Sequence, residues 1–467
     1  MQLRYSVVGL GKLGASMAAA IASRGFDVVG MDVNPRAIEL VNAGRAPVLE
    51  PGLDALIFRH RSHLRATESA REAVLESDVT FVVVPTPSDE CGAFSVEYAA
   101  QAFAEIGRAL ADKEGYHVVV LTSTVLPGAT RHVLAPILER TSGKKCGDDV
   151  GVCYSPEFVA FGSVVSDFLN PDFILIGEHD DRAGGLLDTC YAEITENGAP
   201  CGRMSLENAE LAKIALNAFV TTKIAFANTL ADLCEQIPGG DVDAVADALG
   251  LDRRIGRDYL TGGLGYGGPY FPRDNAAFGF FAAQLGVPAD LSAATDQLNR
   301  ARVGKIVARV LSAVPRCTKA AVLGLAYKPG SNVLEGSQGV EIARRLADAG
   351  VQVVAFDPLV YESSPAQLDG KVEIADSIWE CLAGAEVVIV ATPDPEFATL
   401  SHADFEHDGR TVTVVDCWRT LDPRLADDPA IDHVRVGLGR DTDVEARRLV
   451  SLWNGERVPE PEYAASS

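Results

Sequence analysis

The octapeptide Val7-Val8-Gly9-Leu10-Gly11-Lys12-Leu13-Gly14 constrains this chain more than any other stretch: it places G-x-G-x-x-G between an apolar run and a helical pattern, the signature of a tight strand-to-helix turn. Gly9 permits the turn, Gly11 lets a pyrophosphate approach the backbone at the helix N-terminus, and Gly14 lets helix and strand pack closely. Asp32 ends the next apolar run, 23 positions after Gly9. A carboxylate there accepts hydrogen bonds from an adenosine ribose diol and repels a 2′-phosphate, so the two signals together predict NAD and not NADP. Short β-branched runs then alternate with longer helical stretches. The segments 5–9, 27–32, 79–84, 117–121, 151–154 and 173–177 read as buried parallel strands of a doubly wound domain over residues 1–200.

Ser205 suits an N-cap, and after it Leu211, Ile214, Ala218, Phe226, Thr229 and Leu233 recur at helical spacing until Pro238-Gly239-Gly240 ends the pattern. At 1.5 Å per residue this gives a rod of roughly 45 Å, suited to joining domains. A second α/β series starts near Thr318, with strands expected at 321–325, 351–356, 387–391 and 412–416 and a helix over 336–349. The expected architecture is therefore α/β, with two doubly wound Rossmann-like domains joined by a long central helix. Its divisions are 1–200, a central helical dimerisation and substrate domain at 201–315, an α/β domain at 316–455, and a tail at 456–467. That tail, rich in Pro, Glu, Ala and Ser without periodicity, is expected to be disordered. A net charge of −24 opposes nucleic acid and anionic membranes as partners. Nine cysteines scattered from Cys91 to Cys417, with no CxxC pair and no His/Cys cluster at metal spacing, fit a reducing cytoplasm and predict no metal. No uninterrupted apolar run approaches the length of a membrane span.

Further motifs give these elements chemistry. Gly262-Gly263-Leu264-Gly265-Tyr266-Gly267-Gly268-Pro269-Tyr270-Phe271-Pro272-Arg273-Asp274 resembles the Gly-x-Gly-Phe-Gly-Gly-Ser-Cys-Phe-Pro-Lys-Asp loop of the UDP-glucose/GDP-mannose dehydrogenase family. Glu210-Leu211-Ala212-Lys213, continuing to Asn217, resembles its E-L-x-K-x-x-x-N. Tyr154-Ser155-Pro156-Glu157-Phe158 resembles S/N-P-E-F, Arg254-Ile255-Gly256 resembles R-I-G, and Gly324-Leu325-Ala326-Tyr327-Lys328-Pro329 resembles G-L-A-F-K-P. The resemblance runs from residue 1 to about 420. It implies a cytoplasmic, homodimeric, NAD-dependent oxidoreductase of nucleotide sugars, whose C-terminal α/β domain binds the nucleotide sugar. Its cofactor residues would be Gly9, Gly11, Leu13, Gly14, Asp32, Pro85, Thr86 and Thr124. Its catalytic residues would be Tyr270, Lys213, Asn217, Thr124, Glu157 and Asp274. The substrate would be held by Phe158, Lys213, Asn217, Arg254, Tyr259, Leu260, Gly267 and Lys328, with Arg254 reaching across the dimer interface.

Departures from the family pattern cluster at the reacting carbon. Tyr270 stands where the family keeps its cysteine nucleophile, Phe161 where it has a second glutamate, Glu335 where it has an arginine, and Arg273 where it has the loop lysine. The family oxidises an alcohol in two steps, the second through a thiohemiacetal on the cysteine, and a phenol is a poor substitute for that thiol. The expected reaction therefore stops after two electrons, at the aldehyde or ketone of a nucleotide sugar or related nucleoside. Tyr270 then serves as a base made ionisable by Lys213, or only fills the thiol's space and stacks on substrate. The alternatives are a four-electron 6-dehydrogenase that works without cysteine, a redox-neutral epimerase, and a non-catalytic nucleotide-binding partner.

Overall fold

The computed structural model describes residues 2–89, 92–159, 162–360, 366–405, 409–440 and 443–454. Phe161, Cys91 and the tail at 456–467 lie outside the described residues. The chain forms two compact units, residues 1–216 with 280–285, and residues 217–279 with 286–467.

The first unit is built on an eight-stranded sheet. Its strands are β1 (Tyr5–Val8), β2 (Val28–Met31), β3 (Leu64–Thr67), β4 (Val79–Val82), β5 (His117–Leu121), β6 (Val150–Tyr154), β7 (Ile174–Glu178) and β8 (Cys201–Ser205), in the order β3-β2-β1-β4-β5-β6-β7-β8. The sheet is buried on both faces because side chains alternate along each strand. Val7, Phe81 and Ile176 join one apolar cluster, while Val8, Val82 and Leu121 join the other. One expectation is corrected: β7 runs antiparallel to β6, with Tyr154 opposite Gly177. Among the described residues only a short helix, Val164–Leu169, lies between these strands, so β7 returns beside β6 without the long crossover that a parallel pair requires.

The helix Leu206–Cys234 leaves β8 directly. Ser205 caps it, accepting a hydrogen bond from the Asn208 N–H at 3.3 Å. Its buried positions are largely small, Ala209, Ala218, Ala225, Ala227 and Ala231, joined by Leu206 and Ile214. The anticipated apolar stripe is only partly internal, since Leu211 is 40% exposed, Phe226 52% and Leu233 54%. Packing through alanines brings neighbouring backbones close and leaves the larger side chains on the outer face. By length and composition alone the helix could cross a membrane, and half of its most apolar window is buried inside the protein. Glu210, Lys213, Asn217 and Lys223 stand among its apolar residues, which is why it does not read as an apolar run of that length in the sequence.

The second unit carries a six-stranded parallel sheet of β9 (Lys319–Leu323), β10 (Gln352–Phe356), β11 (Val372–Ile374), β12 (Val387–Val390), β13 (Val412–Asp416) and β14 (Ile431–Arg435). Its order is β11-β10-β9-β12-β13-β14, the same 3-2-1-4-5-6 arrangement as the first six strands of the other sheet. Most of the central helical segment, residues 217–279 and 286–313, belongs to this unit, and Arg419 grips Asp243 through Nε–Oδ2 at 2.5 Å and Nη2–Oδ1 at 3.0 Å. Gly324 follows β9 at φ +100°, as Gly9 follows β1 at φ +99°. Asp357, just after β10, accepts the Leu325 and Ala326 N–H groups on Oδ2, both at 2.8 Å, and the Leu359 N–H on Oδ1 at 3.0 Å.

Candidate active site

In the first unit the Gly-rich turn closes as its sequence requires. A Cβ on Gly9 would meet the Val83 carbonyl oxygen at 2.1 Å, whereas a Cβ on Gly11 would meet nothing within 4 Å. The helix Lys12–Ser23 starts at that open position, leaving its N-terminal N–H groups and positive dipole end accessible to an anion. Asp32 is half-buried beside it, accepting the Leu10 N–H on Oδ2 at 2.6 Å and the Asn34 N–H on Oδ1 at 2.8 Å. Each carboxylate oxygen keeps a lone pair for a ribose hydroxyl. These residues fit NAD. Because the negative Asp32 opposes a 2′-phosphate, NAD is expected to bind at least tenfold more tightly than NADP, about 1.4 kcal/mol. Asp32→Ala should erase most of that ratio, measured by calorimetry with both dinucleotides.

The loops after β4 and β5 brace one another. Thr86 Oγ1 donates to the Thr124 carbonyl at 2.8 Å, and Ser123 Oγ accepts the Val84 N–H at 2.9 Å. Pro85 is exposed there and Thr124 half-buried. The fully buried Glu210 accepts the Gly128 N–H at 2.5 Å and the Thr130 N–H at 2.9 Å, tying the Thr124 loop to the long helix one turn before Lys213. Burial pushes the Glu210 carboxyl up against the pull of these hydrogen bonds.

Lys213 projects from the long helix to donate to the Glu157 backbone carbonyl at 2.6 Å, with its ammonium 4.4 Å from the centre of the Phe158 ring. Phe158 in turn packs on Phe173, ring centres 4.6 Å apart. Burial pushes the Glu157 carboxyl up to about 7, opposed by the Tyr191 hydroxyl and by Lys213. A carboxyl poised there can take or give a proton at neutral pH.

In the second unit Asn217, one helical turn beyond Lys213 and on the same helix face, donates to Asp274 Oδ2 at 2.6 Å. Asp274 is fully buried, and its other oxygen accepts from Arg273 Nε at 3.1 Å and Nη2 at 3.0 Å. Tyr270 precedes the helix Phe271–Gln284, its carbonyl accepting the Asp274 N–H at 2.8 Å and its ring 5.6 Å from the Arg273 guanidinium. Burial pushes the Tyr270 phenol up to about 12, more than Arg273 pulls it down.

The glycine loop before Tyr270 is sewn down by three polar side chains whose roles the sequence did not disclose. Asn228 donates to the Leu264 carbonyl at 3.1 Å and accepts the Gly263 N–H at 2.9 Å. Asn299 does the same for the Tyr266 carbonyl and N–H, at 2.9 and 2.8 Å. Arg302 Nε donates to the Gly263 carbonyl at 2.7 Å. A loop fixed at so many backbone groups holds Tyr270 in place. Their only sequence signal is polar residues inside helical segments. Gly267 runs against the Gly336 backbone, and the Gly268 N–H donates to the Glu335 carbonyl at 3.1 Å.

Of the remaining substrate candidates, Tyr259 lies beside the Tyr270 segment, its ring 6.0 Å from that of Phe271, and Tyr327, the neighbour of Lys328, packs against Gly268. Arg254 is exposed and paired with Asp252, Nη2–Oδ2 2.6 Å. Tyr259 is exposed at φ +63°, Leu260 is buried, and half-buried Lys328 lies 5.9 Å from the centre of the Tyr327 ring.

A Gly-rich turn with a half-buried carboxylate beside it, a second Rossmann-like domain, and a half-buried carboxyl beside a lysine define a nicotinamide-dependent oxidoreductase. Three domains of one family account for most of the chain. The NAD binding domain of the UDP-glucose/GDP-mannose dehydrogenase family matches residues 3–195, its central domain residues 207–301, and its UDP binding domain residues 321–423. The chain belongs to this family. It is 37% identical over 402 residues to UDP-glucose 6-dehydrogenase AglM of Haloferax volcanii, covering 85% of this chain and 93% of that one. It is 34% identical over 412 residues to GDP-mannose 6-dehydrogenase of Pseudomonas aeruginosa, with coverage of 85% and 93%. Among solved structures it is similar to a UDP-glucose dehydrogenase from Pyrobaculum islandicum, with TM-score 0.84, 35% identity and coverage of 94% and 98%. The protein is an NAD-dependent enzyme of nucleotide-sugar oxidation.

Proposed function

We propose that this enzyme removes two electrons from a hydroxyl group of a nucleotide sugar, or of a related nucleoside, and releases the carbonyl compound. The observation that carries this reading is Tyr270. A half-buried phenol pushed up to about 12 stands where the family resemblance places a thiol, and it is a poor acyl carrier. NAD, when bound, supplies the hydride acceptor. The hydroxyl proton goes to Glu157, whose carboxyl titrates near 7. Lys213 and Asn217, one turn apart on the long helix, stabilise the oxygen at the reacting carbon as charge develops on it. With its phenol so high, Tyr270 stays protonated and serves as a hydrogen-bond donor in the role that the family resemblance gives its position, in place of the base its sequence position suggested. Arg273 and Asn217 fix Asp274 beneath the loop that carries it.

The deciding measurement is the ratio of NADH to product, by absorbance and mass spectrometry, across a panel of UDP- and GDP-sugars. One NADH per carbonyl product is expected. Two NADH per carboxylate would overturn the two-electron reading, and dinucleotide binding without turnover would favour a non-catalytic partner.

We also propose that the chain functions as a homodimer through its long helix. Phe219, Phe226 and Leu233 recur every seven residues and are 64%, 52% and 54% exposed, so they form one apolar stripe. Light scattering is expected to give twice the 49.5 kDa chain mass. Phe219→Glu combined with Phe226→Glu should give the single chain.

A further inference from the structure

Behind Glu157, a line of oxygen atoms runs into the first unit. Tyr191, in the helix Asp181–Ile194, places its hydroxyl 3.3 Å from Glu157 Oε1 and 2.8 Å from Ser155 Oγ, and Ser155 Oγ lies 3.0 Å from the Leu175 carbonyl oxygen. Tyr191 is 3% exposed and Ser155 1%, so water is a poor substitute partner for either hydroxyl.

Three oxygen-to-oxygen links require three protons, and the two hydroxyls supply two. With Glu157 ionised, Tyr191 donates to the carboxylate and Ser155 donates either to Tyr191 or to Leu175. One link is then a contact between lone pairs. With Glu157 protonated the line closes: the carboxyl donates to Tyr191, Tyr191 to Ser155, and Ser155 to the Leu175 carbonyl. We propose that Ser155 is a positioning residue that, acting through Tyr191, keeps a proton on Glu157, because the hydrogen-bond line is complete only while that carboxyl carries a proton. Lys213, facing from the long helix, acts in the opposite sense and favours the ionised carboxylate. Burial and the neighbouring Glu157 hold the Tyr191 phenol well above its ordinary value, so it relays hydrogen bonds as a neutral group.

The two hydroxyls have opposite effects, and this makes the inference testable. Tyr191 gives the carboxylate its charge-assisted donor, and losing such a bond costs the ion more than the acid. Ser155 accepts the Tyr191 proton only in the neutral state. Infrared spectroscopy of the full-length protein without substrate, followed through the neutral pH range, reads the protonated-carboxyl stretch directly, and Glu157→Gln assigns it. Tyr191→Phe is expected to raise the midpoint by about one pH unit and Ser155→Ala to lower it by about one. Ser155→Thr, which keeps the hydroxyl, should leave it in place. Either of the first two variants alone tests the sign. Midpoints that do not move, that move in the same direction, or a neutral-range band that survives Glu157→Gln would overturn the proposal. The role in turnover rests on the proposed function, but this titration needs no substrate, so the two can fail separately.

Discussion

Glu157→Gln should lower kcat/KM by roughly 10²–10⁴, the scale for losing a positioned proton-transfer group, and should flatten the pH–rate profile at its acid end. The sign follows from the direction of transfer. Only the carboxylate can accept the hydroxyl proton, so the unmodified enzyme gains activity as pH rises through about 7, where burial has placed this carboxyl, and levels off above it. Glutamine keeps the size and the Tyr191 contact but cannot take a proton. Its residual rate should be nearly independent of pH over that interval, while NAD affinity measured by calorimetry stays unchanged. A profile that keeps its rise near 7 in the variant would assign the base to another group.

Tyr270→Phe should lower kcat/KM by about 10²–10³, the usual consequence of removing one donor from a developing oxyanion. Because the phenol titrates near 12, this variant should keep the rise in activity near 7 that the Glu157 variant loses. Rate–pH profiles of the two variants on one substrate therefore separate donor from base. If Tyr270 were the proton acceptor, its replacement would remove the limb and the Glu157 variant would retain it.

The legible part of the fold was its interior. All four strands that the sequence reading missed are edge strands: β3 and β8 in the first sheet, β11 and β14 in the second. An inner strand of a doubly wound sheet is covered on both faces and reads as an unbroken apolar run, as in Val79–Val82 or Val387–Val390. The edge strands are only half covered, and segments such as Leu64–Thr67, Cys201–Ser205 and Ile431–Arg435 mix charged or small residues with at most two buried ones. No window of sequence distinguishes those from loops. The site divides in a similar way. Turn chemistry placed Asp32 and helical spacing placed Lys213 and Asn217 on one helix face, while the roles expected of that pair came from the family resemblance. Tyr191, Asn228, Asn299 and Arg302 were not legible, because each acts on a backbone or side-chain group 33 to 39 positions away. Only the folded chain creates those pairs.

The matching turns after β1 and β9 show how a repeated architecture acquires two occupations. Asp357 is 6% exposed and already receives three backbone N–H groups, whereas Asp32 receives two and stands half-buried at the mouth of its sheet. The same carboxylate is a buckle in one copy and stands more open in the other. With Oδ2 filled and Oδ1 accepting once, Asp357 keeps a single lone pair at that corner, where Asp32 keeps one on each oxygen. A duplicated fold thereby holds two unlike guests in one polypeptide, and the difference between them comes down to how many amides the loop aims at a single acid.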